Sequence, residues 1–415
     1  MNANYRIFTI GLLMAVAASA TQVAAQTCDD NSGNSPYVCV DWSQGADPVA
    51  GTDFVFDFAT DAANPGVTLI SGDPGWRIWS QVSDTDSTPA NLGAIKIDPT
   101  VSTANFEVTI KNGGPGADDV GSIILTEIGW SGYSTVENSS YLKGDLIGDL
   151  IVQAEGASGG SVHLTVDGQI TGDVTVPKVQ RLAAIGGTTG VIDIGEVLGS
   201  YGSVMIGDPL AGSPCGTTRV TGTITIGTLR STSSLQIFGD VEADITIEDA
   251  IEAGSDVVIR GDVAAGVTVD LAAIGTGGTT DSIIKFGWGN QFCFLRGDLI
   301  MQSGVNADTD LQIQANLPTG ASVDLKNNDV AGTFLLYRGG AGTISNGGDV
   351  TSTGTVTLTN TSVSFVGSAT FASVSSGGLI ETTMDHLAGT LTVSGEMAGN
   401  IEVGADMSGD LSLGG

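Results

Sequence analysis

Leu235-Gln236-Ile237-Phe238-Gly239-Asp240-Val241-Glu242-Ala243-Asp244-Ile245-Thr246-Ile247 is answered one period later by Val257-Val258-Ile259-Arg260-Gly261-Asp262-Val263-Ala264-Ala265-Gly266-Val267-Thr268-Val269, Gly239-Asp240 falling on Gly261-Asp262. Each copy opens with two apolar residues separated by one other, a minimal strand whose two apolar side chains share a face. Gly-Asp follows, where the chain must turn: glycine reaches dihedrals closed to other residues, and aspartate hydrogen-bonds backbone nearby. A third apolar residue then points back inside. One such unit cannot bury its apolar face alone, but stacked copies make a continuous core.

The same phrase runs from Leu142 to Val152 and from Val393 to Val403, with shorter versions at Ile170–Val174 and Leu295–Leu299. Near the C-terminus the unit contracts, with starts at Leu387, Met397 and Met407. The expected fold is all-β: a parallel β-solenoid over residues 141–415 with coils of about 20–22 residues. About twelve coils at roughly 4.8 Å each predict a rod of about 60 Å. Asp145, Asp173, Asp240, Asp262 and Asp298 are expected to share one slot of the repeat. Cys293 aligns with Leu235 and Val257, so it is expected to point inward as a free thiol. Cys215, in an insertion at 209–218, should not reach it.

Residues 26–140 are a different kind of sequence. Four of the five tryptophans, Trp42, Trp76, Trp79 and Trp130, lie there. Period-two runs at Phe54–Phe58, Ala94–Ile97 and Phe106–Ile110 read as strands. The region is expected to be a small tryptophan-containing β domain or the opening of the β-helix. Ahead of it, Arg6 is the only charge before Thr27. An apolar run from Ile7 to Ala20 and Val23-Ala24-Ala25 read as a signal peptide over residues 1–25, removed after Ala25. The run is interrupted too often for a membrane anchor. Export permits disulfides, and Cys28 and Cys39 are expected to pair across a short loop.

Composition bounds the function. Asp+Glu is 46 against Lys+Arg 14, a net charge of −32, which disfavours electrostatic binding to nucleic acid or anionic lipid, since either needs clustered Lys and Arg. With 41% hydrophobic residues and a mean hydropathy of +0.22, the chain is no acidic disordered tail. Glycine, 61 residues against 11 prolines, fits many tight turns between strands.

The signal peptide and the apolar-x-Gly-Asp-apolar phrase together resemble exported β-helix repeat proteins of the bacterial surface and adhesin kind. The resemblance covers the repeat region from Tyr141 to Gly415. It implies a scaffold, an adhesin or a carbohydrate-active enzyme.

Several features suggest chemistry, each beside a plainer reading. Asp240 and Asp262, in adjacent coils, could form part of a calcium ladder, because calcium takes carboxylate and turn-carbonyl oxygens; turn chemistry alone also explains them. Gly113–Gly121, with Asp118 and Asp119, fits one copy of the calcium nonapeptide, a motif that works in tandem. Arg260-Gly261-Asp262 and Arg296-Gly297-Asp298 resemble the cell-attachment tripeptide, although the repeat itself dictates Gly-Asp. His163 and His386 read as solvated side chains, and no serine or cysteine nucleophile motif accompanies them. Glycoside hydrolysis needs two carboxylates at a set separation, and a lyase needs carboxylates beside a Lys or Arg; neither group can be picked out from the sequence.

The expected function is therefore a secreted or surface-exposed structural or adhesive scaffold without an evident catalytic site. The alternatives are a carbohydrate-active β-helix enzyme and a calcium-dependent matrix protein. No cofactor is required, calcium being the candidate. Polysaccharide or a cell-surface protein are the candidate partners, with contacts expected at the insertions 209–218 and 272–292, the second carrying Trp288. The final unit ends without a polar cap, which suggests a longer chain or end-to-end association.

Overall fold

The structure is a computed structural model. It describes residues 145–152, 161–210, 218–276, 281–287, 293–359, 365–382, 388–404 and 408–414 with their side chains. It also describes the backbone of strands between Tyr37 and Leu142, at 386–387 and at 406–407. Among the described residues every element is a strand. They wind into a parallel β-solenoid in which each coil contributes one strand to each of two parallel sheets.

In the first sheet, Leu150, Val174, Ile192, Ile224 and Ile245 stand beside one another coil by coil. The ladder continues through Val269, Leu299, Val323, Ile344, Ala369, Leu391 and Leu411. In the second sheet the rank runs Leu164, Leu182, Val204, Leu235, Val257, Ile284, Leu311, Phe334, Val356, Ile380 and Ile401. Alternation sends every second side chain inward, so most of these aliphatics are sealed: Ile192, Ile245, Val257 and Phe334 are each fully buried. Each such side chain stabilises the fold by roughly 1.5–3 kcal/mol. The strands of the coils above and below supply hydrogen-bond partners for the ladder amides.

A third column closes the corner between the second sheet and the first. Leu146, Ile170, Thr188, Val220, Val241, Val263 and Leu295 bridge one coil to the next there. The opposite corner carries Val305, Val330, Val350, Val374 and Met397.

Both sheets also extend toward the N-terminus. Leu150 pairs with Ile123, Ile123 with Ile95, and Ile95 with Phe54, all parallel. On the other side Leu164 pairs with Ser140, Trp79 with Thr109, and Cys39 with Trp79. Tyr37–Asp41 also pairs antiparallel with Val67–Ile70.

The structure corrects four expectations about register. First, the coils are not of even length. The step from Val174 to Ile192 is shorter than the expected repeat, while the steps from Ile192 to Ile224 and from Val269 to Leu299 are much longer. The two long coils hold the insertions. Second, Ile245 stands beside Val269, not Val267. The extra pair of residues is taken up in a corner at Gly266, whose φ is +81° and whose surroundings are open. Third, Leu295-Arg296-Gly297-Asp298-Leu299 is out of phase with Ile259–Val263. Leu295 pairs with Val263, and Leu299 pairs with Val269. The five aspartates therefore occupy two positions at the same corner: Asp145, Asp240 and Asp262 precede the bridging column, while Asp173 and Asp298 follow it and precede the first sheet.

Fourth, Cys293 is not in the column of Leu235 and Val257, where Ile284 stands instead. Cys293 lies two residues before Leu295, in line with Gly261 two before Val263. It is fully buried, as expected, but it is disulfide-bonded rather than a free thiol. Its partner lies outside the described residues, as do Cys28, Cys215 and the side chain of Cys39.

Candidate functional site

The aspartates of the turn phrase hold coils together. Asp145 Oδ1 accepts the Gln169 N–H at 2.7 Å, and Asp240 Oδ1 accepts the Asp262 N–H at 2.9 Å. On the far side of the bridging column Asp173 Oδ1 accepts the Val191 N–H at 2.9 Å, and the Ser322 hydroxyl donates to Asp298 Oδ1 at 2.6 Å. The carboxylate thus turns to the next coil rather than to its own backbone.

This arrangement fixes what the sequence-selected residues can do. Asp262 accepts the Phe294 N–H on Oδ1 at 2.8 Å and the Arg296 guanidinium on Oδ2 at 2.5 Å. Among the described residues no group of three or more His, Cys, Asp or Glu could hold a metal ion. Asp118, Asp119 and Trp288 lie outside the described residues. The two Arg-Gly-Asp triplets flank the bridging column at one corner, with Gly261 and Gly297 buried. Arg260 lies over the Phe238 ring, 4.6 Å from its centre, and Arg296 over Phe294 at 4.3 Å.

The outer faces of the two sheets differ in kind. On the first, the outward column runs Thr175, Asp193, Thr225, Thr246, Asp270 and onward to Asp324, Ser345, Thr370 and Thr392. These are mostly short side chains. Cations near this face or its rim are paired: Arg230 with Glu196 at 2.8 Å and Glu252 at 2.6 Å, and Lys326 with Asp324 at 3.0 Å. The Arg230 contacts hold the Glu252 carboxyl below its ordinary range, helped by the Ser231 N–H.

On the second sheet the outward column carries longer side chains: Gln236, Val258, Lys285, Gln312 and Leu335. Asp256 lies one column over, and its Oδ1 accepts the Ile283 N–H at 3.1 Å. Ile283 in turn stands beside Asp310. Arg260 follows Val258 by two residues and is therefore the diagonal neighbour of Lys285, within reach of long side chains. This face gathers the groups perturbed by burial. Burial raises the Asp256 carboxyl and lowers the Arg260 guanidinium. It also lowers the Lys285 ammonium, and the Arg260 charge lowers it further. Toward the N-terminal coils His163 is likewise lowered, by burial first and then by Arg181. It is half-buried rather than fully solvated.

Polar groups desolvated together on one face mark a candidate site. The sequence carried a signal for it: Leu235-Gln-Ile237, Ile284-Lys-Phe286 and Leu311-Gln-Ile313 place long side chains where Ile245-Thr-Ile247 places a short one. What it withheld was the register that brings Asp256, Lys285 and Asp310 onto one face.

No protein-family model matches the chain, and neither a curated protein nor a solved structure does.

Proposed function

We propose that the chain is an exported structural or adhesive β-solenoid, a stiff rod that presents surface rather than reacts. The observation that carries this is the use of the turn aspartates as coil-to-coil fasteners, from Asp145 to Gln169 through Asp329 to Asp349. Export is supported by the N-terminal leader pattern, and a disulfide at Cys293 fits an oxidising compartment. Incubating the mature chain from Gln26 with a panel of soluble polysaccharides, and measuring bound sugar and new reducing ends together, tests the reading. A scaffold gives no new ends; their appearance overturns it.

One observation favours carbohydrate cleavage as the second reading. Asp256 and Asp310 face outward on one sheet with a single residue, Ile283, between them along the ladder. Two ladder steps are about 10 Å, near the upper end of the separation used by inverting glycosidases. If reducing ends do form, Asp256→Asn and Asp310→Asn should each abolish them.

A further inference from the structure

We propose that Tyr201, at the corner where the chain enters the second sheet, is a stacking platform for a sugar ring of a neutral polysaccharide. The inference rests on the adhesive reading above and names a contact point and a ligand class for it.

The backbone carries the first observation. Ser200 and Tyr201 both lie in the left-handed region, with φ of +58° and +78°. Such a pair suits Gly, Asn or Asp, and a bulky aromatic residue there is strained. Ser203 stands beside Ser234, and Ser234 beside Asp256, so Thr232 and Gly254 occupy the place of Tyr201 one and two coils on. They too are left-handed, at +64° and +78°. The corner therefore demands this conformation, and glycine meets it without strain. Tyr201 recovers nothing by burial, since it is 89% exposed. Strain kept without packing points to a use for the side chain itself. The turn is also braced. The Ser200 N–H donates to Thr232 Oγ1 at 3.0 Å and to the Ser231 carbonyl oxygen at 3.3 Å. A Cβ on Gly202 would lie 1.8 Å from the Leu198 carbonyl oxygen, so the loop is tightly closed. The ring stands on a fixed backbone, which lowers the entropic cost of holding a ligand.

The surroundings select the ligand. Ser200, Ser231 and Thr232 are exposed beside the ring and carry hydroxyls. The Thr232 hydroxyl accepts the Ser200 N–H and still has its own proton to donate. Arg230, in the coil of Thr232, is held by Glu196 at 2.8 Å and by Glu252 at 2.6 Å. One cation met by two carboxylates leaves the corner net negative, so an anionic ligand is repelled. A protein partner would need a wide apolar patch. The exposed Val191 and Leu210 do not supply one here, because Val191 precedes the first sheet and Leu210 follows the second. A neutral pyranose answers both features of the corner. Its axial C–H bonds pack on the face of the tyrosine ring, and its hydroxyls exchange hydrogen bonds with the polar groups around it.

The test titrates the mature chain from Gln26 calorimetrically with hydroxyethylcellulose, laminarin, galactomannan and dextran sulfate, at low and at physiological salt. Expected is binding to at least one of the three neutral glycans that salt leaves unchanged, and none to dextran sulfate. Tyr201→Gly should weaken that binding about tenfold, while Tyr201→Phe and Tyr337→Ser should retain it. In urea, Tyr201→Gly should unfold at a higher midpoint than the wild type, because glycine relieves the left-handed strain. Unaltered circular dichroism certifies the variants. No binding to any neutral glycan, or Tyr201→Gly binding like the wild type, overturns the proposal. A Tyr201→Gly midpoint at or below that of the wild type also overturns it, since the tyrosine would then serve the fold. New reducing ends in the same samples tell separately against the scaffold reading, wherever the sugar binds.

Discussion

The Asp240 carboxylate accepts the backbone N–H of Asp262, one coil on, at 2.9 Å, and Asp262 repeats the contact to Phe294 at 2.8 Å. A side chain in each coil thereby satisfies an amide of the next, at a corner where the regular ladder is interrupted. Asp262 also holds Arg296. Asp262→Ala should therefore cost about 1–3 kcal/mol in urea unfolding, because an N–H and a guanidinium lose their acceptor together. Asp262→Asn keeps a carbonyl oxygen for Phe294 and should lose less than half as much. Equal stability of the alanine variant and the wild type would remove the fastener account.

Glycines at the corners have different reasons to be there, and substitution separates them. A Cβ on Gly261 would lie 1.8 Å from the Gly239 carbonyl oxygen, so the coils could not stack at their present spacing. Gly266 has nothing within 4 Å, and only its φ of +81° resists a side chain. Gly266→Ala should cost about 1–2 kcal/mol, the left-handed penalty. Gly261→Ala should cost several times more or prevent folding, through overpacking against backbone. Comparable urea midpoints for the two variants would contradict this.

The fold was legible because the apolar-x-Gly-Asp-apolar phrase states the local problem of a solenoid corner: strand, turn, inward residue. For the same reason it could not state which corner. Ile259–Val263 leads from the second sheet to the bridging column, Leu295–Leu299 leads from that column to the first sheet, and Val393–Met397 leads from the first sheet to the opposite corner. All three turns make the same demand, so aligning the phrases placed Asp298 beside Asp262 and Cys293 beside Val257, both wrongly. The candidate site depended on the same missing information. Asp256, Lys285 and Asp310 face one way only because the coil between Val257 and Ile284 absorbs its extra residues outside the strands.

Cys293 shows how much one insertion can alter. Its sulfur is fully buried, 3.2 Å from the Arg260 carbonyl oxygen, and disulfide-bonded. A cross-link there limits the unfolded chain, so reduction or Cys293→Ala should lower stability by about 2–4 kcal/mol. Burial should also make the native disulfide slow to reduce until the coil opens. Peptide mapping without reductant should recover the Cys293 peptide joined to a second one. Recovery of Cys293 as a free thiol, alkylated after unfolding, would refute the bond.

Asp256 offers a prediction in which removing a charge stabilises. Burial raises its carboxyl above the ordinary 3.8, against the smaller opposing effect of the Ile283 N–H. Between 3.8 and the raised value the folded chain holds a proton that the unfolded chain has lost, so this group's contribution declines as pH rises. It is fully present below 3.8 and gone once the folded carboxyl has ionised. Asn at this position keeps an oxygen for Ile283 and carries no charge to desolvate. Asp256→Asn should therefore be more stable than the wild type at pH 7, with the difference shrinking as pH falls and vanishing below about 3.8. Urea unfolding of both chains from pH 3 to 8 measures this. A variant less stable at pH 7 would mean that ionised Asp256 is held by a favourable cationic or hydrogen-bonding partner that outweighs its desolvation.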